Sequence, residues 1–167
     1  MSSLYSQKKY SLKILLIFLG FILLFFLPDS AAAEVRTHVS SFRKPSSTGS
    51  QSVTGVGFKP KAIVFYAATT TIDTLVNGDI TWGVGFAASS TSVQGGAISV
   101  SDEGAGSSDT YTLASTTREI LLLNGLTGAV TAAADVTTFD ADGFTLNWLT
   151  SNATNHAAIH YVALGGD

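Results

Sequence analysis

Beyond residue 33 the apolar positions of the chain fall into short runs or strict alternations. Turn residues interrupt them about every 8 to 15 positions, and no stretch repeats with a helical period. This predicts about eight to ten short strands: Val35 to Phe42, Gln51 to Thr54, Lys61 to Ala68, Trp82 to Ala88, Ala97 to Ser101, Tyr111 to Ala114, Glu119 to Asn124 (with a helical turn as the alternative there), Val130 to Phe139, Phe144 to Leu149 and His156 to Leu164. The run Lys61 to Ala68 is almost continuously apolar, as expected of a strand buried on both faces, with Pro60 opening it where a missing donor costs least. Phe144, Leu146 and Trp148 alternate with Thr145 and Asn147, so that strand has one apolar and one polar face, and Trp148 belongs to the core. Asn77-Gly78 marks a turn in a long loop from Thr69 to Thr81, Gly95-Gly96 is expected to join the two strands around it, and Gly165-Gly166 to end the last strand. The fold class is all-β: one antiparallel β-sandwich or jelly-roll-like domain preceded by a signal-peptide helix.

The N-terminus follows a different pattern. Lys8, Lys9 and Lys13 precede an unbroken apolar run from Ile14 to Leu27, which Pro28 and Asp29 end. At fourteen residues the run is shorter than the roughly 20 that span a bilayer. Ala31 and Ala33 then supply the small-x-small pattern of a secretory cleavage site, with Glu34 as the first mature residue. The alternative is an uncleaved anchor built from the same basic flank and apolar helix. Residues 1–33 are therefore read as a signal peptide and 34–167 as the domain, secreted to the extracellular space or cell surface and touching the membrane only during export.

Composition then narrows the partners. Removing residues 1–33 takes away Lys8, Lys9, Lys13 and Asp29, which moves the net charge from −3 to −5. An acidic domain without a basic stripe argues against nucleic acid and against anionic lipid. With no cysteine in the chain, disulfides, thiolate metal sites and cysteine nucleophiles are excluded, so the domain stands on its core alone.

Three segments carry a resemblance: Gly57-Phe-Lys-Pro-Lys-Ala-Ile-Val64, Phe139-Asp-Ala-Asp-Gly-Phe-Thr-Leu-Asn-Trp148 and His160-Tyr-Val-Ala-Leu-Gly-Gly166. Together they resemble β-sandwich modules of phage tail and other virion-associated proteins and of bacterial exported proteins. The order of these segments is also distantly similar to H-type lectin domains, which are small antiparallel sandwiches that bind sugars as oligomers. The chain departs from that pattern by a long insertion between Ala68 and Val130, so no sugar-contacting residue carries over by position.

Candidate chemistry is sparse. Asp140-x-Asp142-Gly143 opens like a calcium loop but lacks the later ligands, and a hairpin turn accounts for the same residues. His156 and His160 share a strand face about 13 Å apart, too far for one ion. His38 is remote from both in sequence. Asp102 and Glu103 are adjacent rather than paired across a site, and no Gly-x-Ser-x-Gly elbow occurs. The glycine pairs Gly55/Gly57 and Gly83/Gly85 precede strands rather than helices, which disfavours phosphate binding. Asn152-Ala-Thr154 is a glycosylation sequon.

No catalytic residue, metal or cofactor is expected. The expected function is non-catalytic surface recognition or adhesion toward a cell-surface or glycan ligand. Trp82, Asp102, Glu103, Asp109, Asn152 and Asn155 are its expected contacts. The alternative is a self-assembling subunit of an extracellular filament, coat or virion-like surface, in which residues 34–50 pair with a neighbour's sheet edge. The expected partner is thus a cell-surface or glycan ligand, or copies of itself, and a homo-oligomer is expected. Intact-mass analysis of the protein released by a secreting host should find Glu34 at the N-terminus; a retained residue 1–33 segment would make it an anchor.

Overall fold

A computed structural model describes residues 34–68, 80–89, 93–102, 110–153 and 157–166. They form ten strands: β1 (Val35–Arg43), β2 (Gly49–Thr54), β3 (Ala62–Ala68), β4 (Ile80–Ser89), β5 (Val93–Asp102), β6 (Thr110–Ser115), β7 (Ile120–Leu123), β8 (Val130–Asp140), β9 (Gly143–Ser151) and β10 (Ala158–Gly166). Two antiparallel sheets result, a large one in the order β1-β10-β3-β4-β5-β6 and a small one in the order β2-β9-β8-β7. They pack face to face as a β-sandwich.

The alternation read from β9 holds. Phe144, Leu146 and Trp148 are fully buried between the sheets. The Phe144 ring meets Phe65 of β3 edge-on at 5.7 Å and Tyr161 of β10 at 5.2 Å, the offset geometry that aromatic quadrupoles favour. The buried Trp148 indole donates to Gln51 Oε1 of β2 at 2.8 Å, so its one polar atom is satisfied.

β7 is buried at all four positions and lies against the large sheet. Its approach is possible because β4 turns Gly83 and Gly85 inward. A Cβ built at Gly83 would run into the Leu121 carbonyl oxygen, and one at Gly85 into that of Glu119. These glycines are spacers between two backbones, not the start of a ligand loop.

Three sequence expectations are corrected. Gly95 and Gly96 lie inside β5 rather than in the turn before it, and β10 runs through Gly165 and Gly166 instead of ending before them. The strand Ala62–Ala68 is buried on one face only: Ile63, Phe65 and Ala67 face the core, while Val64 and Tyr66 are 43% and 49% exposed. The long-loop expectation for Thr69 to Thr81 falls mostly outside the described residues, except that β4 already starts at Ile80.

Substituting Gly85→Ala pushes a methyl group into backbone that has no rotamer to yield. Overpacking of this kind costs about 1–3 kcal/mol. Thermal unfolding should show the melting temperature lowered by several degrees. An unchanged melting temperature would contradict the close approach.

Candidate functional site

Directly paired residues of antiparallel strands share a face, so the strand registers read out the outer surface of the large sheet row by row. One row is Val39–Val162–Val64–Phe86–Gly96. The next is Ser41–His160–Tyr66–Val84–Ile98–Ala114, and the third is Arg43–Ala158–Ala68–Trp82–Val100–Thr112. Of these, Val39 is 73%, Phe86 57% and Ile98 55% exposed. Tyr66 and Trp82 stack side by side across β3 and β4, with ring centroids 6.4 Å apart and planes 19° from parallel. Among the described residues, the charged side chains on this face are Arg43 and Asp102, both at the same end of the sheet.

The small sheet's outer face is different. Its rows include Ser50–Asn147–Asp135 and Ser52–Thr145–Thr138, the hydroxyl-rich surface expected of a solvated sheet. The sandwich therefore has one wet outer face and one apolar one. In β4 the bulky side chains Trp82, Val84 and Phe86 all point outward while Gly83 and Gly85 point inward. In β5, Ile98 and Val100 point outward while Ala97, Ser99 and Ser101 are buried. That inverts the usual one-sided sheet. Phe86, Gly96, Ile98 and Ala114 border an apolar hollow of about 350 Å³.

The expected contact residues fall as follows. Trp82 lies on the apolar face. Asp102 ends β5 at its rim, accepting a long hydrogen bond from Thr110 Oγ1 at 3.5 Å. Asn152 follows β9 at the same end of the sandwich, but its backbone is anchored rather than presented: its carbonyl accepts from Lys44 Nζ at 2.7 Å and its amide donates to Thr131 O at 3.2 Å. Its Oδ1 is buried without a partner. Glu103, Asp109, Asn155 and His156 lie outside the described residues, as do Ala31 and Ala33. Glu34 precedes β1 and holds Arg36 in an exposed ion pair at 2.8 Å.

The acidic turn is fully engaged from within. Asp142 accepts backbone N–H groups of Gly55 at 3.1 Å and Gly57 at 2.6 Å, donors that only the positive φ of those glycines (85° and 84°) aims at one carboxylate. Asp140 accepts the hydroxyls of Thr138 and Thr145. Asp142 therefore ties the β8–β9 turn to the segment after β2, and Asp140 ties β8 to β9, the turn reading of this motif. Among the described residues no three potential metal ligands cluster. His38 stacks on Tyr161 at 6.0 Å, inside the sandwich, whereas His160 points outward.

Two buried charges went unread in the sequence. Lys44, 2% exposed, donates to Pro45 O, Ser151 Oγ and Asn152 O at 2.7–3.0 Å, which uses its three N–H groups on neutral acceptors. Burial lowers its pKa. Glu119, 4% exposed, sits in a cleft of about 560 Å³ with Asp135, and its Oε2 accepts Val136 N–H at 2.8 Å. Asp135 is in turn held by Arg118 Nη1 at 3.1 Å. Nothing local in the sequence marks either residue, because both are buried by segments distant along the chain.

No protein-family profile, curated protein or solved structure matches this chain.

The Glu119 pKa is raised, first by burial and then by the neighbouring Asp135 charge, against the pull of the Val136 N–H and Arg118. An acid whose folded pKa lies above its unfolded value costs stability as pH rises through that interval. Glu119→Gln keeps an oxygen for Val136 and removes the charge. It should raise stability at pH 7 and flatten the decline above the ordinary value of 4.5. Denaturant titrations across pH check this, and an unchanged slope would contradict it.

Proposed function

We propose that this protein is an exported, non-catalytic β-sandwich whose work is contact, and that it adheres through the outer face of its large sheet. The observation that carries the reading is the absence of charge across the centre of that face, combined with the outward placement of Phe86, Ile98, Val84 and Tyr66. Monomeric soluble proteins rarely leave apolar patches of more than a few hundred Å² in water unless they bind something. The Asp140 and Asp142 carboxylates are committed to internal donors, which supports a structural role for that turn. The acidic, cysteine-free composition of 34–167 supports contact outside the cytoplasm rather than with nucleic acid.

One feature favours a second reading, glycan binding. The near-parallel Tyr66–Trp82 pair offers an aromatic face on which a sugar ring stacks, with His160 in the same row as Tyr66 to supply a polar contact.

Retention of the protein on its producing cells or their extracellular material tests the main reading. Phe86→Lys combined with Val64→Lys places two charges in the middle of the face without touching the core. Retention should fall at least tenfold; unchanged retention would remove the face from function. Binding on a glycan array that disappears in both Tyr66→Ala and Trp82→Ala would favour the sugar reading.

A further inference from the structure

We propose that the occupant of the apolar face is a second copy of this chain, packed sheet against sheet about a two-fold axis that runs along β3. The inference rests on the contact reading above and names the partner.

Four observations converge on it. The first is the pattern of β3 and β10, whose near-continuous apolar runs belong to strands covered on both faces, whereas one molecule covers only one. In β4 and β5 the larger apolar residues even point away from the molecule's own core, so the face is built to a packing standard that water does not require. The second is extent. At ordinary strand spacings, five strands of about seven residues project roughly 550 Å² of flat surface, and side-chain relief with the rim brings this toward the ~800 Å² per partner of a standard interface.

Charge supplies the third. A two-fold axis parallel to the strands preserves which end is which and exchanges left for right. Placed over β3, it sets β1 of one copy opposite β5 of the other. Arg43, at the end of β1, then faces the end of β5 that carries the partner's Asp102, about one pleat step (~7 Å) away along the strand, within reach of an arginine side chain. Symmetry makes the pairing twice. The two charged side chains identified on this face are thus of opposite sign and fall where the two-fold brings them together, leaving an uncharged centre and a charged rim.

Shape is the fourth. The same axis places Val39, the most exposed residue of its row, opposite the partner's Gly96, where the hollow of about 350 Å³ lies. A valine side chain from β1 then faces the apolar hollow that Phe86, Ile98 and Ala114 border. Two copies of one surface are therefore self-complementary, as an isologous interface requires.

Sedimentation equilibrium of the released protein between about 1 and 100 μM, with near-UV circular dichroism to confirm folding, tests this. Wild type should show a monomer–dimer equilibrium, and Phe86→Lys should weaken it at least 100-fold while leaving the spectrum intact. Arg43→Asp and Asp102→Arg should each weaken the dimer about five- to tenfold, and the double exchange should restore it. A monomer at every concentration overturns the proposal, as does a dimer indifferent to Phe86→Lys. Failure of the double exchange to rescue overturns the axis over β3. A monomer whose retention still falls with Phe86→Lys plus Val64→Lys assigns the face to a different partner, so the contact reading survives while the second copy does not. If neither retention nor dimerisation responds, both fail.

Discussion

The close approach of β7 to β4 is the constraint on which the rest of the molecule depends. Sheets in a sandwich pack about 10 Å apart, a gap that side chains fill. Here the Glu119 and Leu121 carbonyls lie where side chains of β4 would stand, so positions 83 and 85 have room for glycine alone. Four consecutive buried residues of β7 can then serve both clusters of the core, Ile120 and Leu122 on one side and Leu121 with Ala97 and Ala133 on the other. Glu119 is carried inward by the same approach, and the Val136 N–H is the donor that makes its burial tolerable.

That constraint has a consequence on the opposite side of the sheet. A strand alternates, so when the inward positions of β4 must be glycine, its larger side chains occupy the outward ones. Trp82, Val84 and Phe86 are the result, and the small or hydroxyl-bearing inward residues of β5 continue the trend. The core is thin beneath β4 and β5, and apolar mass has been moved to the surface above them. A protein that needed only to be soluble would place threonines and charges there, as the outer face of the small sheet does with Ser52, Thr145 and Asp135. The apolar outer face and the packing of β7 are two sides of one strand's alternation.

The all-β class and most strand positions were legible because alternation and turn residues are local signals. The phase of Trp148 with Phe144 and Leu146 places it in the core, where it is buried. Alternation states which residues share a face, however, and not which face is inside. Without the position of β7, nothing distinguished a strand that buries Trp82 and Phe86 from one that buries Gly83 and Gly85. The run Lys61 to Ala68 reads as doubly buried because its apolar residues are nearly continuous, whereas Val64 and Tyr66 are exposed. Lys44 and Glu119 were illegible because their acceptors and donors come from residues 151–152 and 136, brought near by the fold. The glycine pairs were visible as pairs, but their two different uses, spacing in β4 and aiming N–H groups at Asp142, depend on neighbours remote in sequence.

The central claim is that the apolar outer face is covered when the protein works. The chain has two tryptophans, and they sample the two sides of the question: Trp148 is sealed in the core and Trp82 lies on the face. Acrylamide quenching of tryptophan emission along a dilution series reads both at once. If the account holds, one emitting class stays protected at every concentration and a second becomes quenchable as the protein is diluted. A second class equally quenchable at the highest and lowest concentrations would contradict it.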